Sequence, residues 1–175
     1  MRIVAISGSL RAESSNAALL RAASRVAPDG VEVVTYDAMG DLPHFNPDLD
    51  AEGSVAPARV RELRALLIGA DAILISSPEY AHGVPGSFKN LLDWLVSTGE
   101  LVKKPVALLN ASPGGGEHAQ RAILETLRTM NWRVVDEASR IAPFVRWKIS
   151  GELTDEESLS ALRESVAALA RAATP

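Results

Sequence analysis

Short apolar runs of strand length alternate with longer amphipathic patterns along most of this chain of 175 residues. That alternation is typical of βαβ units, in which helices connect the parallel strands of one sheet. Three of the runs, at 2–7, 71–76 and 105–111, are almost continuously apolar, as expected of strands covered on both faces. The pattern therefore predicts one α/β domain over residues 1–175, built on a parallel sheet.

The same pattern gives bounds for the remaining elements. Further strands are predicted at 31–36 and 132–136, and Ile141 is expected to begin a short edge segment. The segment 37–55, rich in Asp, Pro and Gly, is predicted to be a surface loop of the kind that often serves as a lid or interface. The last helix has a T-x-x-E capping box, formed by Thr154 and Glu157. The predicted helices lie at 15–27, 57–69, 86–97, 116–130 and 155–172.

Composition excludes several function classes. Hydrophobic residues make up 47% of the chain and charged residues 23%, which indicates a globular domain and not a disordered one. The formal net charge is −4, so no basic surface favours nucleic acid. The chain has no cysteine, so any redox chemistry must come from a bound cofactor. No apolar run approaches about 18 residues and no leader precedes the first strand, so we expect a cytoplasmic protein without a membrane partner.

The first predicted strand breaks directly into a hydroxyl-rich turn, residues 7–16, and the chain then enters a helix. The N-terminus of such a helix has unpaired backbone N–H groups and positive dipole character, and phosphate binds readily there. A plain helix cap needs one hydroxyl or amide side chain, and this turn has several, so the turn is predicted to bind phosphate. The side chains that add hydrogen bonds or charge are Ser9, Arg11, Ser14, Ser15 and Asn16.

Two common phosphate motifs are missing from this turn. The P-loop pattern needs a lysine and a second glycine, and the dinucleotide fingerprint needs three glycines, whereas Gly8 is alone here. Side-chain hydroxyls suit a compact terminal phosphomonoester better than a pyrophosphate. The turn therefore indicates a mononucleotide such as FMN, and not a nucleoside triphosphate or a tightly held NAD.

Two further unusual turns are expected at the same edge of the sheet, where ligands bind in open parallel sheets. Residues 77–87 contain two prolines that stiffen the turn, and Gly83 and Gly86 allow a ligand to approach the backbone closely. Such a rigid wall suits a flat heteroaromatic ring; the alternative is a stiff loop that only starts a helix at Pro85. Residues 111–117 include three consecutive glycines, which either admit a ring or form a turn without a ligand.

Three motifs in these turns together resemble the NAD(P)H-dependent FMN reductases. They read G-S-L-R-x-x-S-x-N from Gly8, P-E-Y-x-x-x-x-P-G-x-x-K-N-x-x-D-W from Pro78, and S-x-x-G-G from Ser112. The resemblance covers most of the chain and implies a flavodoxin-like three-layer sandwich with a five-stranded parallel sheet. It also implies hydride transfer from NADPH or NADH, through N5 of bound FMN, to a quinone, a flavin, an azo dye or a metal oxyanion. The expected assembly is a homodimer or homotetramer.

The resemblance assigns roles to the matching residues. Ala81 stands where the family usually has asparagine, so a side-chain contact is lost there and backbone contacts remain. For Glu79 the alternative is that its carboxylate only caps or pairs. The segment 42–49 resembles the family's loop near the flavin and the subunit interface. The FMN phosphate would be held by Ser9, Leu10, Arg11, Ser14 and Asn16, to which the hydroxyl-rich turn adds Ser15. The ring would be lined by Pro78, Glu79, Tyr80 and Ala81, and flanked at its other edge by Ser112, Gly114 and Gly115.

In such an enzyme the chemistry belongs to the flavin, so no side chain is expected to act as a catalytic acid, base or metal ligand. His82 and His118 are expected near the mouth of the site, either as solvated loop residues or as groups that orient substrate. Two other functions stay open at this point. One is a flavodoxin-type electron carrier that reacts with protein partners, and the other is a receiver-type module without flavin.

Overall fold

A computed structural model gives the structure of residues 1–111, 116–141, 153 and 155–174. The elements alternate along the chain as the apolar pattern predicts. The strands are β1 (Arg2–Ser7), β2 (Glu32–Tyr36), β3 (Ala72–Ser76), β4 (Pro105–Asn110), β5 (Arg133–Val134) and β6 (Arg140–Ile141). The helices are α1 (Ser15–Arg25), α2 (Ala58–Ile68), α3 (Gly86–Asp93), α4 (Glu117–Thr129) and α5 (Glu156–Ala173).

All strand pairs are parallel, and the sheet has the order β2-β1-β3-β4, with both β5 and β6 paired to β4. β5 pairs with the start of β4, where Val106 is opposite Val134, and β6 pairs with its end, where Leu109 is opposite Arg140. These two short strands are therefore pieces of one fifth strand. The resulting order, 2-1-3-4-5, is that of the flavodoxin-like doubly wound folds. The predicted five-stranded α/β sandwich is confirmed.

Helices cover both faces of the sheet, so the domain has two cores. In β1, Ile3 and Ala5 belong to the core beneath α1 and α5, whereas Val4 and Ile6 belong to the core beneath α2, α3 and α4. All four side chains are at most 1% exposed. Burial on both faces explains why this strand is apolar throughout and does not alternate. None of the helices in the described ranges is long and apolar enough to cross a membrane.

Several predicted boundaries differ from the structure, each for a local reason. α3 ends at Asp93 and not at 97, because the Trp94 carbonyl accepts hydrogen bonds from the Arg64 guanidinium, at 2.5 Å from Nη2. The fifth strand, predicted at 132–136, is interrupted by a 3-10 turn at Asp136–Ala138.

The predicted capping box of the last helix is wrong in its position. The N-cap of α5 is Asp155, whose carboxylate accepts from the Ser158 backbone N–H at 2.9 Å. The helix therefore begins at Glu156, and Glu157 is its second residue. Thr154 lies outside the described residues.

The segment 37–55 is a loop, as predicted, with only two 3-10 turns, and Arg64 of α2 anchors it. Arg64 Nη2 lies 2.7 Å from Asp50 Oδ1 and 2.9 Å from Ser97 Oγ, and the Ser97 hydroxyl donates to the other Asp50 oxygen at 2.6 Å. The side chains of Arg64 and Asp50 are only 19% and 10% exposed. This hydrogen-bonded ion pair therefore holds the loop against α2 and the end of α3.

We expect the replacement Arg64→Ala to lower the free energy of unfolding by about 3 kcal/mol, since it leaves the largely buried Asp50 carboxylate without its cation. Urea denaturation of the purified protein measures this loss. Arg59→Ala is the matched control, because Arg59 lies on the same helix but its ion pairs with Asp41 and Glu62 are more than half exposed. Equal losses in the two variants would contradict the anchoring role.

Candidate functional site

Two of the predicted turns and the end of β4 meet at the carboxyl edge of the sheet, and buried hydrogen bonds join them. The turn after β1 is joined to β3 by the Gly8 backbone N–H, which donates to the Ser76 carbonyl at 2.8 Å. The Asn16 side-chain oxygen accepts from the Ser76 hydroxyl at 2.8 Å and from the Ala111 backbone N–H at 3.4 Å. Asn16 is 5% exposed. One amide group thus ties the start of α1 to the ends of β3 and β4.

Gly8 is required where the first and second turns pass each other. A Cβ atom at this position would lie 2.4 Å from Ser77 Oγ and 2.7 Å from Ser77 Cβ. Both atoms belong to a buried residue directly after β3, so any larger residue at position 8 would force the two turns apart.

The N-terminus of α1 has free hydrogen-bond donors. Ser14 is the N-cap, and its Oγ accepts from the Ala17 backbone N–H at 3.3 Å. Within the described part of the chain, the backbone N–H groups of Ser15 and Asn16 donate to no protein acceptor. Arg11 is exposed and forms no ion pair with any described residue. Donors and cation together fit a phosphate, which prefers such helix ends.

The remaining members of the phosphate turn contribute in different ways. The Ser9 hydroxyl oxygen accepts from the Arg11 backbone N–H at 3.3 Å and keeps its own hydrogen for another acceptor. Leu10 is 60% exposed, and a Cβ at Gly40 would contact its methyl group at 3.3 Å, so the turn lies beside the loop 37–55. Because the Asn16 amide oxygen is bonded inside the fold, Asn16 can offer a phosphate its backbone N–H.

The turn after β3 is a two-residue hairpin in an unusual conformation. Tyr80 and Gly83 exchange backbone hydrogen bonds, of 3.1 and 2.9 Å, and Ala81 and His82 between them have φ angles of 49° and 59°. Two consecutive positive φ values define a type I′ turn, which favours Asn and Gly. Pro78 is buried and Tyr80 is 52% exposed, so the hairpin projects from a fixed base.

Glu79 caps a helix that begins 38 residues later. Its Oε2 accepts from the backbone N–H of Ala119 at 2.8 Å, in the first turn of α4. The N-cap of α4 is Gly116, which has no side chain to make that bond. The alternative in which the Glu79 carboxylate caps is thus what the structure shows.

His82 and His118 meet at the same place. Their rings are stacked, with centroids 4.2 Å apart and planes 9° apart, and both residues are exposed. His118 is the second residue of α4, so the stack is a second link between the hairpin and that helix. The stack was not predicted, and the expectation that the two histidines lie near the mouth of a ligand site stays a prediction.

The K-N-x-x-D-W part of the second motif anchors the loop 37–55. Asn90 Oδ1 accepts from the Phe45 backbone N–H at 2.7 Å, and Asn90 Nδ2 and the Trp94 indole N–H both donate to the Pro43 carbonyl, at 3.0 and 2.8 Å. The Phe45 ring packs edge-on against Trp94, with centroids 5.0 Å apart. These residues therefore place the loop beside the site, a role that the sequence analysis missed.

Among the described residues, three groups outside the three turns have shifted pKa values, and for Arg59 the hydrogen bond to Glu62 raises the pKa. Burial raises the pKa of Tyr36, and the Asp41 carboxylate adds to this; the hydroxyl donates to the Ala38 carbonyl at 3.2 Å. Burial lowers the pKa of Lys104, whose ammonium donates to the Ile68 and Ala70 carbonyls at 3.0 and 2.6 Å. The Tyr36 bond closes the turn after β2, and the Lys104 bonds tie the start of β4 to the end of α2.

The structure thus describes two of the three predicted turns, and these two lie together. The residues of the turn after β1 and of the hairpin lie at one edge, and Ala111, which precedes the third predicted turn, is bonded to Asn16 there. Asn110 ties the end of β4 to the N-cap of α4, since its Nδ2 donates to the Gly116 carbonyl at 3.3 Å. Ser112, Gly114 and Gly115 lie outside the described residues.

Comparisons with known proteins agree with this arrangement. The family model for NADPH-dependent FMN reductases matches residues 1–145. A quinone reductase of Escherichia coli K12 is 30% identical over 169 residues, which are 93% of this chain and 89% of the relative. An NAD(P)H-dependent FMN reductase of Pseudomonas aeruginosa is 30% identical over 175 residues, 97% of this chain and 93% of the relative.

Among solved structures, a flavoenzyme of Paracoccus denitrificans, an NAD(P)H:(acceptor) oxidoreductase, is similar with a TM-score of 0.82. It is 28% identical, and the match covers 98% of this chain and 96% of that one. Fold, site and likeness define an FMN-dependent oxidoreductase that uses NAD(P)H. The chain belongs to the NADPH-dependent FMN reductase family. An enzyme is thereby favoured over an electron carrier or a receiver-type module.

We expect the replacement Ala81→Asn to raise the free energy of unfolding of the cofactor-free protein by about 0.5–1 kcal/mol, because Asn tolerates the left-handed conformation better than Ala. Urea denaturation measures the change. Ala51→Asn is the control, since Ala51 is exposed in a loop and has no positive φ. A hairpin substitution that stabilises no more than the control would show that the turn carries no strain.

Proposed function

We propose that this protein binds FMN across the three turns, with the phosphate at the N-terminus of α1 and the ring between the hairpin and the turn 111–116. The observation that carries this proposal is the pair of backbone N–H groups of Ser15 and Asn16, together with Arg11 in the preceding turn, none of which has a bonding partner among the described residues. A phosphomonoester would satisfy all three groups at once.

Each predicted site residue then has a physical role. Ser9 and Arg11 bind the phosphate through side chains, whereas Ser15 and Asn16 bind through backbone N–H groups, with Ser14 fixing the helix end. Leu10 and Tyr80, both exposed, border the mouth and shield the ring from water. The ring would lie against the backbone of Pro78, Glu79, Tyr80 and Ala81 and, on its other edge, against Ser112, Gly114 and Gly115.

The bound FMN would supply the hydride-accepting and hydride-donating chemistry at its N5 atom. The chain's own contribution is orientation and electrostatics. A backbone wall fixed by Pro78, the Tyr80–Gly83 exchange and the Glu79 cap needs no rearrangement when a ring binds, which lowers the cost of reaching the reactive geometry. NADPH or NADH would bind transiently over the exposed face of the ring, since no dinucleotide fingerprint is present.

We propose a small quinone as the acceptor class. The support is the likeness to the quinone reductase of Escherichia coli, together with the exposure of Leu10 and Tyr80 on two of the turns. Free flavin, azo dyes and metal oxyanions are the other acceptors that the family resemblance implies. The cytoplasmic location predicted from the sequence stays a prediction.

We also propose a homodimer, with the homotetramer as the larger alternative. Exposed apolar side chains support this assembly: Leu10 at 60%, Leu49 at 43%, Tyr80 at 52% and Val96 at 64% lie on the hairpin, the adjacent loops and the end of α3. Size-exclusion chromatography with light scattering gives the mass directly. A single peak at the mass of one chain would reject the assembly.

We expect the double replacement Ser9→Ala with Arg11→Ala to weaken FMN binding by about 3 kcal/mol, roughly 100-fold, because a charge-assisted and a neutral hydrogen bond to the phosphate are lost. Titration of flavin fluorescence measures the dissociation constant. The matched control is Ser24→Ala with Arg25→Ala, which removes the same two exposed residue types at the opposite end of α1. Unchanged FMN affinity in the first variant would overturn the phosphate site.

We expect anaerobic addition of NADPH or NADH to bleach the bound flavin without any partner protein, and subsequent addition of benzoquinone to restore its absorbance. Stopped-flow spectra with each nicotinamide give the donor preference from the two bleaching rates. Failure of NAD(P)H to bleach would favour an electron carrier, whereas bleaching that benzoquinone does not reverse would exclude the quinone proposal alone.

A further inference from the structure

We propose that Glu79 sets the reduction potential of the flavin, by cancelling the positive end of α4 at the edge of the ring. The inference rests on the proposed FMN site and concerns a residue of that site. It assigns the Glu79 carboxylate an electrostatic role in addition to the capping bond, and none in proton transfer.

The capping bond has an unusual origin. An N-cap side chain ordinarily bonds the second or third N–H of its own helix, and Ala119 is the third residue of α4. Gly116 occupies the N-cap with φ 65°, and a Cβ there would lie 2.2 Å from Asn110 Nδ2, inside the fold. No side chain fits at the usual capping position, so the cap comes from the hairpin turn instead.

This choice of cap matters because of its charge. The N-terminus of a helix such as α4, which has 13 residues, carries about half a positive elementary charge. An uncharged cap would leave that positive end facing the site, where it would stabilise negative charge on a ring. The Glu79 carboxylate brings a full negative charge to the same place, so that the local balance becomes negative.

The sign of the effect follows from the reaction. A hydride brings two electrons and one proton to the ring and leaves it with one additional negative charge, while the nicotinamide becomes cationic. A carboxylate in the loop that lines the ring disfavours this added charge and so lowers the potential. A lower potential makes the reduced flavin a stronger reductant toward the acceptor. The elements around Glu79 carry further charges, among them Arg11 in the first turn and Glu117, which is exposed at the first position of α4.

The test compares three variants by the midpoint potential of the bound flavin, measured by equilibration with reference dyes. Glu79→Gln keeps a side-chain oxygen that can accept from Ala119 and removes only the charge. We expect it to favour the reduced flavin about tenfold, which is about 30 mV upward for a two-electron couple. Affinity for oxidised FMN should stay within about twofold of the parent protein, because the loop stays capped.

Glu117→Gln is the matched control, since it removes one exposed negative charge from the same helical turn without touching the capping bond. Solvent screens an exposed charge, so we expect a clearly smaller shift. Glu79→Asp keeps the charge and should stay closer to the parent potential than Glu79→Gln. An unchanged or lower potential in Glu79→Gln, or equal shifts in Glu79→Gln and either comparison variant, would overturn the inference.

These experiments distinguish a failure of the Glu79 inference from a failure of the proposed FMN site. If FMN affinity does not respond to the Ser9 and Arg11 replacements, the site itself is wrong and the inference falls with it. If the affinity responds and the potential does not move in Glu79→Gln, the FMN site stands and only the electrostatic role of Glu79 is rejected.

Discussion

The buried Asn16 amide is the interaction on which the arrangement of the site depends. A polar group inside a protein must find hydrogen-bond partners, and this one finds them on the ends of both β3 and β4. The start of α1 is thereby fixed relative to two neighbouring strands. The backbone N–H groups of Ser15 and Asn16, which donate to no described acceptor, are fixed with it.

A second set of contacts stabilises the surroundings of this edge. The hairpin is joined to α4 by a hydrogen bond at Glu79 and by a stack at His82, and the loop 37–55 is joined to α3 and α2 through Asn90, Trp94 and Arg64. The motif that begins at Pro78 thus contacts two different neighbours. Its first half forms the hairpin that contacts α4, and its second half, in α3, holds the loop 37–55.

Much of the fold was predictable because hydrophobic periodicity depends on burial, and burial on both faces leaves a clear pattern in β1, β3 and β4. That β1 ends in a hydroxyl-rich turn which leads into a helix was predictable from the sequence, whereas phosphate binding by that turn stays a prediction. The contacts of Glu79, His82 and Asn90 were not predictable, because each partner lies 36 to 47 residues away in the chain and no local pattern encodes the pairing. The end of α3 and the N-cap of α5 were missed for a related reason: single side chains, Arg64 and Asp155, decide them.

The divided fifth strand has a consequence for how copies of this protein can associate. Strands of two residues each, at Arg133–Val134 and Arg140–Ile141, present only brief stretches of edge backbone with a helical turn between them. An incoming chain would find no continuous ladder there to extend, which protects this margin from sheet-to-sheet fusion and fibre growth. Contacts between copies at this edge of the sheet would therefore have to use side chains. Side-chain contacts depend on the sequence and can be specific, whereas main-chain strand pairing does not.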